Sequence, residues 1–159
     1  MSASQSPPFA RETRRVSVER DRLWPVFDDA QLLARVLPGC EQLEAIEPHV
    51  YRGILATKLQ FLTMRAEVTA RVLDIRMPDA LRLEIDGRPR GLAGSFRASI
   101  QIGLDVDEEP GTIVTYQVAL TTSGRLSAFG APLLRDTFRR QVGDLVANIE
   151  RELGDGQAS

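Results

Sequence analysis

Cys40 and His49 are the only cysteine and the only histidine in the chain, so nucleophilic or metal chemistry built on sulfur or imidazole would have to begin with them. Cys40 closes the stretch LPGC and His49 lies in EPHV. A thiol attacks as the thiolate and needs a base or a positive neighbour to form it; no histidine lies near Cys40 in sequence. One Cys with one His is too small a set for zinc. Cys40 is therefore expected to fill a small apolar site behind a Pro-Gly corner, and His49 to be an exposed turn residue. Asp105, Asp107, Glu108 and Glu109 crowd the segment DVDEEPG, but a tight hairpin cannot space six oxygens around calcium, and a solvated turn is the better reading. GRPRGLAG (87–94) is glycine-rich. Phosphate loops lead from a strand into a helix N-terminus, whereas this one joins two strands, as a flexible flap at one end of the sheet. No catalytic residue, cofactor or metal is called for.

The elements that position these residues form one domain. The chain has 159 residues, 43% of them apolar, with 20 basic against 22 acidic residues and a formal charge of -2. That suffices for a single core. Charges of both signs are interleaved along the strands, Lys58 being the only lysine, and no basic patch asks for nucleic acid. The lone cysteine excludes an internal disulfide and fits a reducing, cytoplasmic compartment. No run approaches the about 18 apolar residues of a membrane span.

Residues 1–12 read as a disordered polar tail and 13–154 as the domain. TRRVSVER alternates as a half-buried strand with Val16 and Val18 inward. Two short helices follow, the first capped by Asp21 and carrying Trp24 as core or pocket rim, the second begun by Asp28 or Asp29 and stopped by Pro38 and Gly39. Sustained alternation then runs through AEVTARVLDI, LRLEID, FRASIQIGL and VTYQVAL, separated by turn signals. In the last segment Leu134, Phe138, Val142, Leu145, Ile149 and Leu153 make one helical stripe. These patterns predict an α+β helix-grip fold: a curled antiparallel sheet of about seven strands around one long C-terminal helix, with two short helices after the first strand.

VFDDAQLLARVLPGCEQLE resembles the Asp-x-x-x-Leu-x-x-x-x-Pro-Gly-Cys-x-x-Leu segment of the carbon monoxide dehydrogenase CoxG-like family, within the START-like polyketide cyclase (SRPBCC) superfamily. GTIVTY and SGRLSAFGAPLL resemble two further stretches of that family, and the likeness runs from about Arg14 to Leu153. Where the family's pattern carries a Gly-Pro turn before the fourth strand, this sequence has QFLTM. Longer relatives carry a C-terminal extension implicated in membrane attachment; this chain ends in GDGQAS, so anchoring by a tail is not expected. The resemblance implies a carrier of an apolar ligand such as a lipid or quinone, serving a molybdenum-containing hydroxylase and touching the inner membrane face.

The inward positions admit such a ligand. Small residues (Gly53, Thr57, Ala66, Ala70, Ala98) alternate with larger ones, leaving room beneath the helix. The expected wall is Leu55, Leu59, Phe61, Val68, Phe96, Ile100, Tyr116, Phe138 and Val142. The inward faces offer Tyr116 and Thr57 as polar groups but no His, Asp or Glu, which disfavours a cyclase-type enzyme. A filled core in an assembly factor is the other alternative. Leu126, Phe129 and Leu133 would share a face opposite the main stripe if the helix ran unbroken. Either a break at Gly130–Pro132 turns them inward, or they form an exposed apolar patch for a membrane or protein partner.

Overall fold

The computed structural model describes residues 8–154 apart from Glu109. Seven strands, each antiparallel to its neighbours, form one sheet in the order β1-β7-β6-β5-β4-β3-β2. They are β1 (Ala10–Val16), β2 (Cys40–Glu47), β3 (Val50–Leu59), β4 (Leu62–Arg76), β5 (Ala80–Pro89), β6 (Gly94–Val106) and β7 (Thr112–Gly124). Between β1 and β2 lie helix α1 (Arg20–Leu23), a 3-10 turn (Trp24–Phe27) and helix α2 (Ala30–Val36). A second 3-10 turn (Arg125–Phe129) leads into helix α3 (Ala131–Leu153). This is the helix-grip architecture that the alternation and the final stripe predict.

Strand β1 starts earlier than the domain boundary expected at residue 13. Phe9 donates its N–H to the Val118 carbonyl at 2.8 Å, and its ring meets Phe138 edge-on at 6.4 Å. Of the tail expected over 1–12, residues 1–7 lie outside the described residues.

Local chemistry sets the connections. Asp29 caps α2, its Oδ1 accepting from the N–H groups of Gln31 and Leu32 at 2.9 and 3.3 Å, which satisfies two otherwise unpaired donors. After Leu37 the chain turns at Gly39, with φ at 75°, and the Ala56 N–H donates to the Gly39 carbonyl at 2.8 Å. A Cβ at Gly39 would stand 2.0 Å from the Ala56 oxygen. The Pro-Gly-Cys corner is thus a joint that lays the end of α2 against β3 and starts β2 at Cys40. His49 is exposed, with Nε2 3.0 Å from Asp28 Oδ1.

The inner face curls because large and small residues alternate across it. One row runs Leu43, Gly53, Val68, Gly87, Phe96 from β2 to β6. Phe96 leans over Gly87, where a Cβ would come 2.1 Å from its ring. At one end the sheet is sealed by α1, the 3-10 turn and α2: Val16, Val18, Leu23, Trp24, Val36, Leu81, Leu104 and Ile149 form a continuous buried cluster. Helix α3 has 23 residues, about 34 Å at 1.5 Å per residue. It approaches β1 and β3 more closely than the strands between them.

The loops at both ends are pinned. Arg15 holds the β6–β7 turn through Asp107 Oδ2 at 2.7 Å and the carbonyls of Glu108 and Pro110 at 3.1 Å. The glycine-rich β5–β6 loop, expected as a flexible flap, is tied down at both sides: Arg90 N–H donates to Arg65 O at 2.7 Å and Arg125 N–H to Ala93 O at 2.8 Å.

Gly39→Ala combines a left-handed backbone with a backbone clash. It should lower the unfolding free energy by about 2–3 kcal/mol, read as a shifted urea midpoint with unchanged slope.

Candidate functional site

Between α3 and the middle of the sheet several inward apolar side chains stay partly exposed. Ala70 sits in the centre of the inner face, flanked by Tyr51 and Ile85, yet it stays partly exposed, as do Leu55, Leu83, Ile85, Phe96 and Val142. Side chains there stay accessible where their neighbours leave gaps in the packing. The accessible part of this face is apolar, and on the helix side Phe138 and Val142 of α3 pack against the Ala98, Ile100, Tyr116 and Val118 cluster.

Each expected wall residue has a definite place. Leu59, Val68, Ile100 and Tyr116 point inward and are buried; Leu55, Phe96, Phe138 and Val142 point inward and are half-buried. Phe138 meets Tyr116 edge-on at 5.9 Å. Phe61 does not belong to this wall. Leu59 pairs with Leu62, so Gln60 and Phe61 form a two-residue turn at the β3–β4 tip, and Phe61 is 98% exposed. The expected exposed patch is also corrected. Gly130 adopts φ 84° and breaks the helix from the preceding 3-10 turn, so Leu126 turns inward to 2% exposure while Phe129 and Leu133 are half-buried.

A polar cluster that sequence reasoning missed lies along the β1 side of α3. Glu12 and Arg14 face inward, in phase with Val16, because β1 keeps a period of two back to Ala10. The Tyr116 hydroxyl donates to Glu12 Oε1 at 2.5 Å, and Glu12 also bridges Arg14 at 3.1 Å and Arg139 of α3 at 3.3 Å. The signal is present in the alternation of β1, but there it runs through charged residues rather than apolar ones. On the β3 side, Gln141 Nε2 donates to Thr57 Oγ1 at 3.3 Å and Arg140 Nη2 to the Lys58 carbonyl at 2.7 Å.

This cluster is built to stay put rather than to exchange protons. The Tyr116 hydrogen bond, with Arg14 and Arg139, holds Glu12 below the usual carboxylate range, while burial and the Glu12 carboxylate push Tyr116 up to about 12. Neither group is poised near neutrality, where a general acid or base works best. Burial also raises the Cys40 thiol, whose Sγ points at the Gln42 carbonyl, an arrangement that keeps it protonated. Among the described residues no group of three or more potential metal ligands comes together. Two open depressions of about 600 and 700 Å³ lie on the outer face of the sheet, ringed by side chains such as Arg52, Glu67, Asp86 and Arg97. Their charge suits them poorly to an apolar guest.

The sequence matches the carbon monoxide dehydrogenase CoxG family over residues 13–154. The chain belongs to that family. No curated protein matches it significantly. Among solved structures, a conserved protein of Geobacillus kaustophilus aligns with a TM-score of 0.82 at 21% identity, over 92% of this chain and 95% of the other. A START superfamily protein of Mycobacterium smegmatis gives 0.68 at 8% identity, covering 93% and 98%, and Ara h 8.0201 gives 0.63 at 15%, covering 91% and 95%. At these identities the likeness concerns the fold alone, the helix-grip arrangement described above.

Tyr116→Phe and Glu12→Gln test the cluster by urea unfolding across pH. The neutral Tyr116 phenol contributes its full stability below pH 10 and loses it as pH rises through about 12, so Tyr116→Phe should lack that alkaline loss. Glu12→Gln should cost about 1–2 kcal/mol near neutrality, shrinking as acid protonates the wild-type carboxylate below its ordinary range.

Proposed function

We propose that this CoxG-family protein carries an apolar ligand, lipid-like or quinone-like, in the hollow between α3 and the inner face of the sheet. The observation that carries the reading is the part-exposed Ala70 at the centre of that face: an apolar space reached by solvent is unfavourable empty and gains from an apolar guest. The aliphatic wall of Leu55, Ile85 and Val142 and the rings of Phe96 and Phe138 suit a hydrocarbon or prenyl chain. The Tyr116–Glu12 cluster places polar groups at one side of it, where a ligand oxygen could be accommodated.

Family membership supports a role as an accessory factor of a carbon monoxide dehydrogenase-type molybdenum hydroxylase, the chain carrying its ligand between the cytoplasmic membrane face and that enzyme. Among the described residues no helix is long and apolar enough to cross a membrane, in keeping with a carrier that visits a bilayer peripherally. The cyclase alternative finds little support in a Tyr–Glu pair whose two pKa values move away from neutrality.

Organic extraction of the purified protein followed by mass spectrometry should release a lipid or quinone. Ala70→Phe supplies the matching test. With space above residue 70 the larger side chain should be tolerated within about 1 kcal/mol and should weaken binding of a fluorescent fatty acid about tenfold. A variant that unfolds, together with wild-type protein that extracts clean and binds no fatty acid, would point to a filled core and an assembly factor acting by protein contact.

A further inference from the structure

The turn between β3 and β4 displays its apolar residues outward. Phe61 is 98% exposed and Leu62 47%, in a two-residue turn whose first residue, Gln60, sits at φ 57°. A residue with a side chain adopts that left-handed conformation at a cost, and the short turn leaves Phe61 no route back to the core. An aromatic ring held in water at the apex of a paired hairpin is not a by-product of loose packing.

The charges around it are predominantly basic. Lys58, Arg125 and Arg140 are exposed at this end of the sheet, and among the described residues none has a carboxylate partner; Arg65 and Arg90 are there too, paired to Glu41 and Glu67. Arg140 reaches the hairpin itself through the Lys58 carbonyl. The opposite end also exposes apolar side chains, Met77 at 69% and Val106 at 66%, but these stand among Asp74, Asp79, Asp105 and Glu108, all exposed, an acidic surplus over Arg76 and over Arg82 and Arg20, which pair with Asp74 and Asp79. The molecule, near neutral as a whole, is thus polarised along the strands: basic around the β3–β4 tip, acidic around the β4–β5 and β6–β7 turns. An apolar apex set in a basic ring suits shallow insertion into an anionic bilayer, where the ring enters the headgroup region and the cations meet lipid phosphates. The same apolar residues in an acidic ring would be repelled.

The geometry points to the β3–β4 tip, Phe61 and Leu62 with Lys58 and Arg140, as the element that docks the protein on an anionic membrane. Docked this way, the end of the sheet away from the α1–α2 seal faces the bilayer. The assignment stands apart from the ligand reading, since vesicle binding and fatty-acid binding can fail independently.

Cosedimentation with phosphatidylcholine vesicles, with and without phosphatidylglycerol, tests it. The full-length protein should bind the phosphatidylglycerol vesicles, and increasingly weakly as salt is raised. Phe61→Glu should weaken that binding about tenfold or more, and Lys58→Glu several-fold, both with unchanged thermal unfolding because these side chains are exposed. Met77→Asp should bind as wild type, and Phe61→Trp should show blue-shifted emission on adding vesicles. Phe61→Glu binding as wild type, or Met77→Asp losing as much, would overturn the assignment. Wild-type protein ignoring anionic vesicles would overturn it as well and leave the tip to a protein partner.

Discussion

Helix α3 is tied to the sheet by polar links along both flanks, with apolar packing between them: Phe138 and Val142 sit against the Ile100, Tyr116 and Val118 cluster, and Ile149 against Val72, Leu81 and Leu104. On one side Arg139 reaches Glu12 of β1, which also takes the Tyr116 hydroxyl; on the other, Gln141 and Arg140 reach Thr57 and Lys58 of β3. A helix lying flat on a sheet would bury its stripe against the central strands and leave nothing between. Held from two sides over a curled sheet, it leaves Ala70 and Ile85 of the central strands partly exposed. The polar links sit where they do because charged side chains are tolerated at the edge of an apolar space when each is paired. The part-exposed apolar residues of the inner face and the polar seams are two consequences of one arrangement.

The two ends of the molecule are built differently. At one, α1, the 3-10 turn and α2 bring Leu23, Trp24 and Val36 onto Leu104 and Ile149 and seal the sheet with dry packing. The Gly39 corner makes this possible by returning the chain to β3 immediately after α2. The other end, among the described residues, carries the pinned β5–β6 loop, the inward-turned Leu126 and the β3–β4 hairpin in place of packed helices. The proposed carrier role would use this asymmetry, with stability concentrated at the sealed end and passage at the other.

Strand positions are legible in the sequence because half-buried antiparallel strands alternate, and the runs around Val68, Leu83, Ile100 and Val118 alternate cleanly. The C-terminal stripe is legible for the same reason at a different period. The Asp29 cap and the Gly39 corner can be read from residue type alone, since few other residues serve there. Phe61 defeats such reading because hydrophobicity suggests burial, whereas a two-residue hairpin fixes direction regardless of hydropathy. Leu126 leaves two orientations open because its direction depends on a helix break whose geometry only Gly130 decides. Glu12 and Arg14 escape notice because an inward-facing charge is intelligible only once its partners, 104 residues and more along the chain, are brought beside it.

The proposed function requires that an apolar guest enter the space over Ala70. Methyl NMR with a spin-labelled fatty acid tests it most directly, because paramagnetic broadening reports distance to the bound chain. The account predicts broadening of Leu55, Ile85 and Val142 methyls, with Val16, Val18 and Leu104 in the sealed cluster left sharp. Broadening confined to the outer face of the sheet, or none at saturating ligand, would contradict it.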